Sequence, residues 1–418
     1  MNVIEKIMAK ASGKKQVHPG DIIDAKIDKA MMNDITGPLA IKAFKEMGGK
    51  EVWDKDRIII VLDHLVPAPS DQSANLHKIL RTFADDQGLK YFYDVGRSGV
   101  CHQIMMENHV KPGEMIVGAD SHTCTYGAVG AFATGIGSTE IASVLLTGKL
   151  WFKVPKAVNI IVKGKLNPPV APKDLILYTV GQFKADGATY MGVKFSREAI
   201  ESMSVDGRMT LCNMVVEMGA KNGIVEPDDK TAEYLTTRKL VPFEFVKDDL
   251  DAEYDKVVEY NASKLEPMVA CPPSVDNVKP VSEIGNVEID QALIGSCTNG
   301  RLEDLCIAAR ILRGKKVKKG VRALIFPASQ EIYVAAIKEG LIETFVEAGA
   351  LVCNPSCGPC IGGHLGILAA GEACVSSTNR NFVGRMGNIK SMIYLASPAT
   401  VASSAITGKI TDPRIMEA

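Results

Sequence analysis

Ile58-Ile59-Ile60-Val61-Leu62-Asp63-His64 decides the fold class. Five apolar residues in a row match the length of a strand buried on both faces, and the run leads directly into a polar Asp-His pair. Met115-Ile116-Val117-Gly118 repeats the pattern and leads into Ala119-Asp120-Ser121-His122-Thr123. A third run is Val158-Asn159-Ile160-Ile161-Val162. Between the first two lies a helical pattern, Ser73-Ala74-Asn75-Leu76-His77-Lys78-Ile79-Leu80-Arg81. Alternation of strand and helix predicts an α/β architecture, in which polar groups at strand C-termini build sites.

At 418 residues the chain exceeds one ordinary core. Proline-rich breaks at Pro155 to Pro172 and Pro267 to Pro280 divide it into segments 1–152, 153–275 and 276–418, each near domain size. The acidic run Asp248-Asp249-Leu250-Asp251-Ala252-Glu253 reads as a solvated surface. No internal repeat is visible.

Lys+Arg is 48 against Asp+Glu 49, a net charge of -1, so no global charge favours nucleic acid or an anionic membrane. The start, Met1-Asn2-Val3-Ile4-Glu5-Lys6, lacks an apolar signal core, and Ser391 to Gly408 contains Pro398 and too many polar residues for a membrane span. A cytoplasmic protein with reduced thiols is expected, because ten cysteines are too sparse in this length for a disulfide scaffold.

Three of those cysteines stand in small, polar, glycine-rich surroundings: Gly295-Ser296-Cys297-Thr298-Asn299 and Ser356-Cys357-Gly358-Pro359-Cys360-Ile361. Three thiolates can hold a cubane iron–sulfur cluster and leave its fourth iron as a Lewis acid, while small residues let backbone N–H groups approach the sulfurs. Cys357-Gly358-Pro359-Cys360 alone also suits a redox dithiol, and a structural zinc site would want a second such pair. Cys101, Cys124, Cys212, Cys271, Cys306 and Cys374 read as ordinary buried thiols.

Three of the seven histidines, His64, His102 and His122, lie in polar segments, two of them beside Asp63 and Asp120. A neighbouring carboxylate fixes the imidazole tautomer and raises its pKa. Direct zinc or dinuclear-metal binding by these Asp and His residues is the competing reading, and it leaves the cysteines unexplained. Gly135-Ile136-Gly137-Ser138-Thr139-Glu140 departs from a dinucleotide fingerprint at Glu140 and reads as a helix start. Leu211 to Glu217 reads as helix, with Asn213 and Glu217 on one face, and Arg380 and Arg385 in Ser377 to Arg385 suit a di- or tricarboxylate.

Taken together, Asp120-Ser121-His122-Thr123, the Cys297 and Cys357/Cys360 motifs, and Asn379-Arg380-Asn381-Phe382 with Gly384-Arg385 make the chain resemble the aconitase superfamily end to end. Within it, the resemblance is to large subunits of the two-subunit isopropylmalate dehydratase and homoaconitase group. The resemblance implies three α/β domains around one [4Fe–4S] cluster held by Cys297, Cys357 and Cys360, with Asn213 and Asn379 beside it. It implies active-site roles for Asp63, His64, His102, Asp120, His122 and Glu217, with Asn33, Ser121, Arg380 and Arg385 facing substrate. The activity implied is a hydro-lyase isomerising 2- and 3-isopropylmalate in leucine biosynthesis; homocitrate-series or citramalate-type acids are the alternatives, and a redox- or iron-sensing protein is the reading from another class. Single-chain aconitases continue into a swivelling domain that carries the serine base. This sequence stops at Ala418, so the base is expected on a separate small subunit.

Overall fold

The computed structural model describes residues 1–416; Glu417 and Ala418 lie outside the described residues. The chain forms two compact units. The first comprises Met1–Arg97, Ile104–Lys163 and Ala188–Tyr260, and the second comprises Ser98–Gln103, Gly164–Gly187 and the chain from Asn261.

The first unit is organised by a five-stranded sheet in the spatial order Tyr91–Tyr93, Ile58–Val61, Lys29–Asn33, Met115–Gly118, Phe132–Gly135, parallel throughout. Every residue of Ile58–Val61 and Met115–Gly118 is buried, as a sheet covered on both faces requires. The flanking helices carry clear boundary chemistry. Asp71–Gln87 is capped by the Ser70 hydroxyl, which accepts the Ser73 N–H, and ends at Gly88 in the left-handed region. Val3–Ser12 opens with a reciprocal Asn2–Glu5 capping box. Phe44 and Phe83 meet edge to face in the core these helices share.

A second sheet in this unit has the order Asn222–Val225, Gly192–Ser196, Ala157–Lys163, Lys256–Asn261. Between Met115–Gly118 and Phe132–Gly135 of the first sheet lies an unusually long 3₁₀ stretch, Ser121–Val129. Thr123 and Thr125 hold it by donating their hydroxyls to the carbonyls of Asp120 (2.7 Å) and His122 (2.6 Å). It packs so closely on Asn222–Val225 that a Cβ on Gly127 would lie 1.6 Å from the Gly223 carbonyl oxygen.

The second unit is built on a seven-stranded sheet: Val278–Pro280, Met268–Ala270, Met392–Leu395, Ala373–Ser376, Gln291–Ile294, Arg322–Ile325, Leu351–Val352. The last five are parallel. Their spatial order repeats that of the five-stranded sheet, with the first strand in sequence at the centre, the next two on one side and the last two on the other. The sequence shows no repeat, yet both sheets change direction at the same topological point.

The α/β expectation holds, and three local readings need correction. The acidic run is not simply solvated: Asp248 accepts from Lys194 (2.6 Å), Tyr254 and the Val3 N–H, and Asp249 pairs with the terminal amine of Met1 (2.9 Å) and with Lys6. The helix through Asn213 does not run on to Glu217. It ends at Met214, and Val215–Met218 tightens into a 3₁₀ turn closed by left-handed Gly219. Cys271 and Cys306 are only half-buried. Among the described residues no helix is long and apolar enough to cross a membrane.

The Gly127 contact is backbone against backbone, so nothing there can swing aside. Gly127→Ala is expected to destabilise the first unit by about 3 kcal/mol or more. Gly285→Ala, which meets nothing within 4 Å, is expected to leave thermal unfolding unchanged. Parallel melting curves of the two variants check this.

Candidate active site

In the first unit the strand order reverses between Lys29–Asn33 and Met115–Gly118, and the crevice beyond their C-terminal ends is where such sheets bind ligands. Asn33 ends one strand and Asp120 follows the other; the Asn33 amide donates to Asp120 Oδ2 at 3.4 Å. The Asn33 side-chain oxygen Oδ1 accepts from the N–H groups of Ile35 and Thr36, which fixes the turn.

That turn delivers Asp34, a fully buried carboxylate that sequence reasoning passed over. It accepts the backbone N–H groups of Asp63 (3.2 Å), His64 (2.9 Å) and Leu65 (2.8 Å) and pairs with His77 Nε2 (3.2 Å). Burial would raise its pKa, but His77, His64 and the backbone donors outweigh that and hold it well below the usual carboxylate range. The loop so anchored sets His64 Nδ1 2.6 Å from Asp63 Oδ1, with His64 Nε2 3.9 Å from Asp120 Oδ2. Burial opposes charging His64, but Asp63, Asp34 and Asp120 overcome it and raise its pKa to about 10. His64 is therefore an imidazolium at neutral pH, a held proton facing Asp120.

His122 sits in the first turn of the 3₁₀ stretch, where the Asp120 carboxylate accepts its N–H at 2.9 Å. Its Nε2 lies 2.8 Å from Glu217 Oε1. The Asn213 amide donates to Thr125 Oγ1 at 2.9 Å, so Asn213 and Glu217 both reach the same 3₁₀ stretch from their helix and turn. The structure thus brings together Asn33, Asp63, His64, Asp120, His122, Asn213 and Glu217 in this unit. Asp120 and Ser121 also line an open cleft of about 560 Å³ together with Glu140, Trp151, Tyr190 and Lys221.

In the second unit the reversal falls between Gln291–Ile294 and Ala373–Ser376. Gly295 follows the first of these strands, with φ 153° and its Cα against Phe326; Ser296 follows in the left-handed region at φ 72°, an uncommon conformation for a residue with a side chain. The turn presents Cys297. Arg301, almost fully buried, donates to the carbonyls of Thr298 and Cys297, both at 2.6 Å. Cys357 precedes the 3₁₀ turn Gly358–Ile361, and a spacing of three in such a turn sets Cys357 and Cys360 on one side. Ser296 Oγ lies 3.6 Å from Cys297 Sγ and 3.9 Å from Cys360 Sγ. The Asn379 amide donates to Cys297 Sγ at 3.2 Å, and its oxygen is 3.7 Å from Cys360 Sγ.

All three cysteines are buried, and at least two share the same hydroxyl and the same amide. A buried trio of soft sulfur donors, on the turns that follow Gln291–Ile294 and Leu351–Val352, with polar hydrogens aimed at sulfur, fits an iron–sulfur cluster. Among the other cysteines, burial raises the pKa of Cys374 to about 12 and of Cys353 to about 11, and raises that of Cys212 further, so these stay thiols. Cys124 donates its S–H to the Asn213 carbonyl at 3.4 Å.

His102 is buried in this unit, on a segment pinned by the Val100 N–H to the Ala328 carbonyl at 2.8 Å. A Cβ on Gly99 would come within 2.6 Å of that same oxygen. Arg380 and Arg385 follow Asn379 and are half-buried; Arg385 Nε is buried without a partner among the described residues, a donor available for a carboxylate. Sequence reasoning also missed His77, Arg301 and Lys173, whose partners are distant or are backbone groups.

The raised pKa of His64 has a stability consequence. Its pairing stabilises fully below about pH 6.5, the unfolded value, and is lost as pH rises toward about 10. Urea unfolding of the chain is expected to weaken across that window, and His64→Gln is expected to flatten the dependence there.

Comparison with known proteins identifies the family. Residues 5–408 match the model of the aconitase family (aconitate hydratase). The chain is 54% identical over 414 residues to the probable 3-isopropylmalate dehydratase large subunit of Methanothermobacter thermautotrophicus, covering 99% of each. It is 52% identical over 418 residues to the 3-isopropylmalate dehydratase large subunit of Heliobacterium modesticaldum, covering 100% of each. It is 53% identical to 3-isopropylmalate dehydratase large subunit 1 of Pyrococcus furiosus, covering 99% of this chain and 98% of that one. Its fold matches the crystal structure of Thermococcus kodakaraensis aconitase X (holo-form), with a TM-score of 0.50 at 14% identity, over 93% of this chain and 94% of that one. On the family match and these identities, the chain belongs to the aconitase family.

Proposed function

We propose that this chain is the large, cluster-binding subunit of a 3-isopropylmalate dehydratase, isomerising 2- and 3-isopropylmalate by dehydration and rehydration in the cytoplasm, as a step of leucine biosynthesis. The observation that carries the reading is the buried Cys297, Cys357 and Cys360 trio with Asn379 and Ser296 on its sulfurs, in a chain whose relatives bear that name over their full length. Segments 1–152, 153–275 and 276–418 would be its three α/β domains.

Cys297, Cys357 and Cys360 would hold one [4Fe–4S] cluster. Bound there, it would supply a Lewis-acidic iron that makes a hydroxyl a viable leaving group. The chain's own residues do the rest. His64, charged and oriented by Asp63, holds a proton for the departing hydroxyl, with His102 as its companion acid. His122 and Glu217 form a second imidazole–carboxylate pair beside Asp120. Arg380 and Arg385 hold substrate carboxylates and offset negative charge as a C–H proton leaves. Asn33 and Ser121 face the substrate. The base that takes that proton belongs to a small subunit, the counterpart that the relatives' "large subunit" names imply.

Anaerobic reconstitution is expected to yield roughly four iron and four sulfide per chain, the content of one cubane. Cys357→Ser should lose both cluster and turnover. His64→Ala should keep the cluster and lose about 10²–10⁴-fold in kcat when assayed with the small subunit on isopropylmalate. Full activity in that variant removes His64 from the acid role; absence of iron and sulfide from the wild-type chain overturns the cluster reading.

A further inference from the structure

Lys173 is the one fully buried lysine among the described residues of the second unit, and the reaction outlined above makes no use of it. It stands second in the helix Pro172–Phe183, at the positive end of the helix dipole, which disfavours a cation. A buried ammonium in such a place needs strong local compensation. It finds two carbonyls: Nζ donates to Ser377 O at 2.7 Å and to Thr378 O at 2.6 Å, 204 and 205 residues away. Those residues leave the strand Ala373–Ser376 and immediately precede Asn379, whose amide donates to Cys297 Sγ.

The side chains whose charge would favour the Lys173 ammonium are Asp304, Cys297, Asp174 and Cys360, so two members of the cysteine trio are among them. Burial draws its pKa down to about 7 and these groups oppose that. Asp304 is itself tied to this turn, accepting from Asn299 at 2.9 Å and from the Arg301 N–H at 3.1 Å. Asp174 is engaged elsewhere, by the N–H groups of Ala171 and Met268.

We propose that Lys173 is a positioning residue of the cysteine site: its ammonium fixes the Ser377–Thr378 turn that sets Asn379 against Cys297, and its buried charge offsets the negative charge that three thiolates and their bound cluster bring. The proposal rests on the cluster reading above. It separates Lys173 from ordinary core residues, because a packing role depends on the shape of the side chain and this role depends on its charge.

The test uses the full chain reconstituted anaerobically with iron and sulfide, as wild type, Lys173→Met, Lys173→Gln and Lys173→Arg. Folding is checked by circular dichroism and the melting temperature. The cluster is read by its midpoint potential in an EPR-monitored titration and by its rate of loss to an iron chelator. Both neutral variants are expected to show a more negative potential and about tenfold faster loss, while Lys173→Arg stays near wild type. Wild-type potentials and loss rates in folded Lys173→Met and Lys173→Gln overturn the proposal, whatever happens to the melting temperature. So does a chain that folds as neither neutral variant, since Lys173 is then a scaffold group. A wild-type chain that takes up no iron overturns the cluster reading, and this inference falls with it.

Discussion

A carboxylate buried without solvent must be satisfied by donors, and Asp34 meets that demand by gathering the N–H groups of Asp63, His64 and Leu65 and the ring of His77. Much of the first unit's chemistry follows from this. The loop after Ile58–Val61 has no regular structure of its own, and Asp34 supplies the partners a strand or helix would have given. With the loop so held, Asp63 meets His64 at hydrogen-bond distance, and the negative charges around that imidazole keep its proton in place. Asp34 is thus a positioning group: it touches Asp63 and His64 and fixes where that pair stands.

The second unit solves a similar problem with cations. Its cysteine turns expose carbonyls and bring sulfur together in a buried place. Arg301 binds the carbonyls after Cys297, and Lys173 binds those before Asn379. In both units candidate site residues, Asn33 and Asp120 in one and Cys297 and Asn379 in the other, end or follow the two parallel strands that flank the reversal of strand order. The shared order arises without a visible sequence repeat, because many apolar sequences satisfy the same buried strand.

What was legible in the sequence follows from the range of the interactions. Ile58–Val61 and Met115–Gly118 could be read because burial on both faces leaves an unbroken apolar run. Asp63 beside His64 could be read because the pair is adjacent in sequence, and the cysteine turns because glycine and small residues surround them. Asp34 looked like any aspartate in a turn, since its four donors come from 29 to 43 residues away. Lys173 was invisible for the same reason at greater distance. Asn213 and Glu217 do reach the same 3₁₀ stretch, but the period joining them was misread, because the α-helix gives way to a 3₁₀ turn closed by Gly219 beyond them. The acidic run near Asp248 looked solvated because Lys194, Met1 and Lys6 are remote in sequence.

The outer strands of the two principal sheets have a consequence for association. Leu351–Val352 is two residues long, Val278–Pro280 three and closed by proline, Tyr91–Tyr93 three, and Phe132–Gly135 four and largely buried. A bare ladder of that length offers few open N–H and C=O groups to a visiting strand, and proline removes one more. These two sheets are thereby guarded against pairing edge to edge with other copies. Any chain docking on either of these two sheets would have to recognise side chains and loops, since their edges leave little backbone to extend.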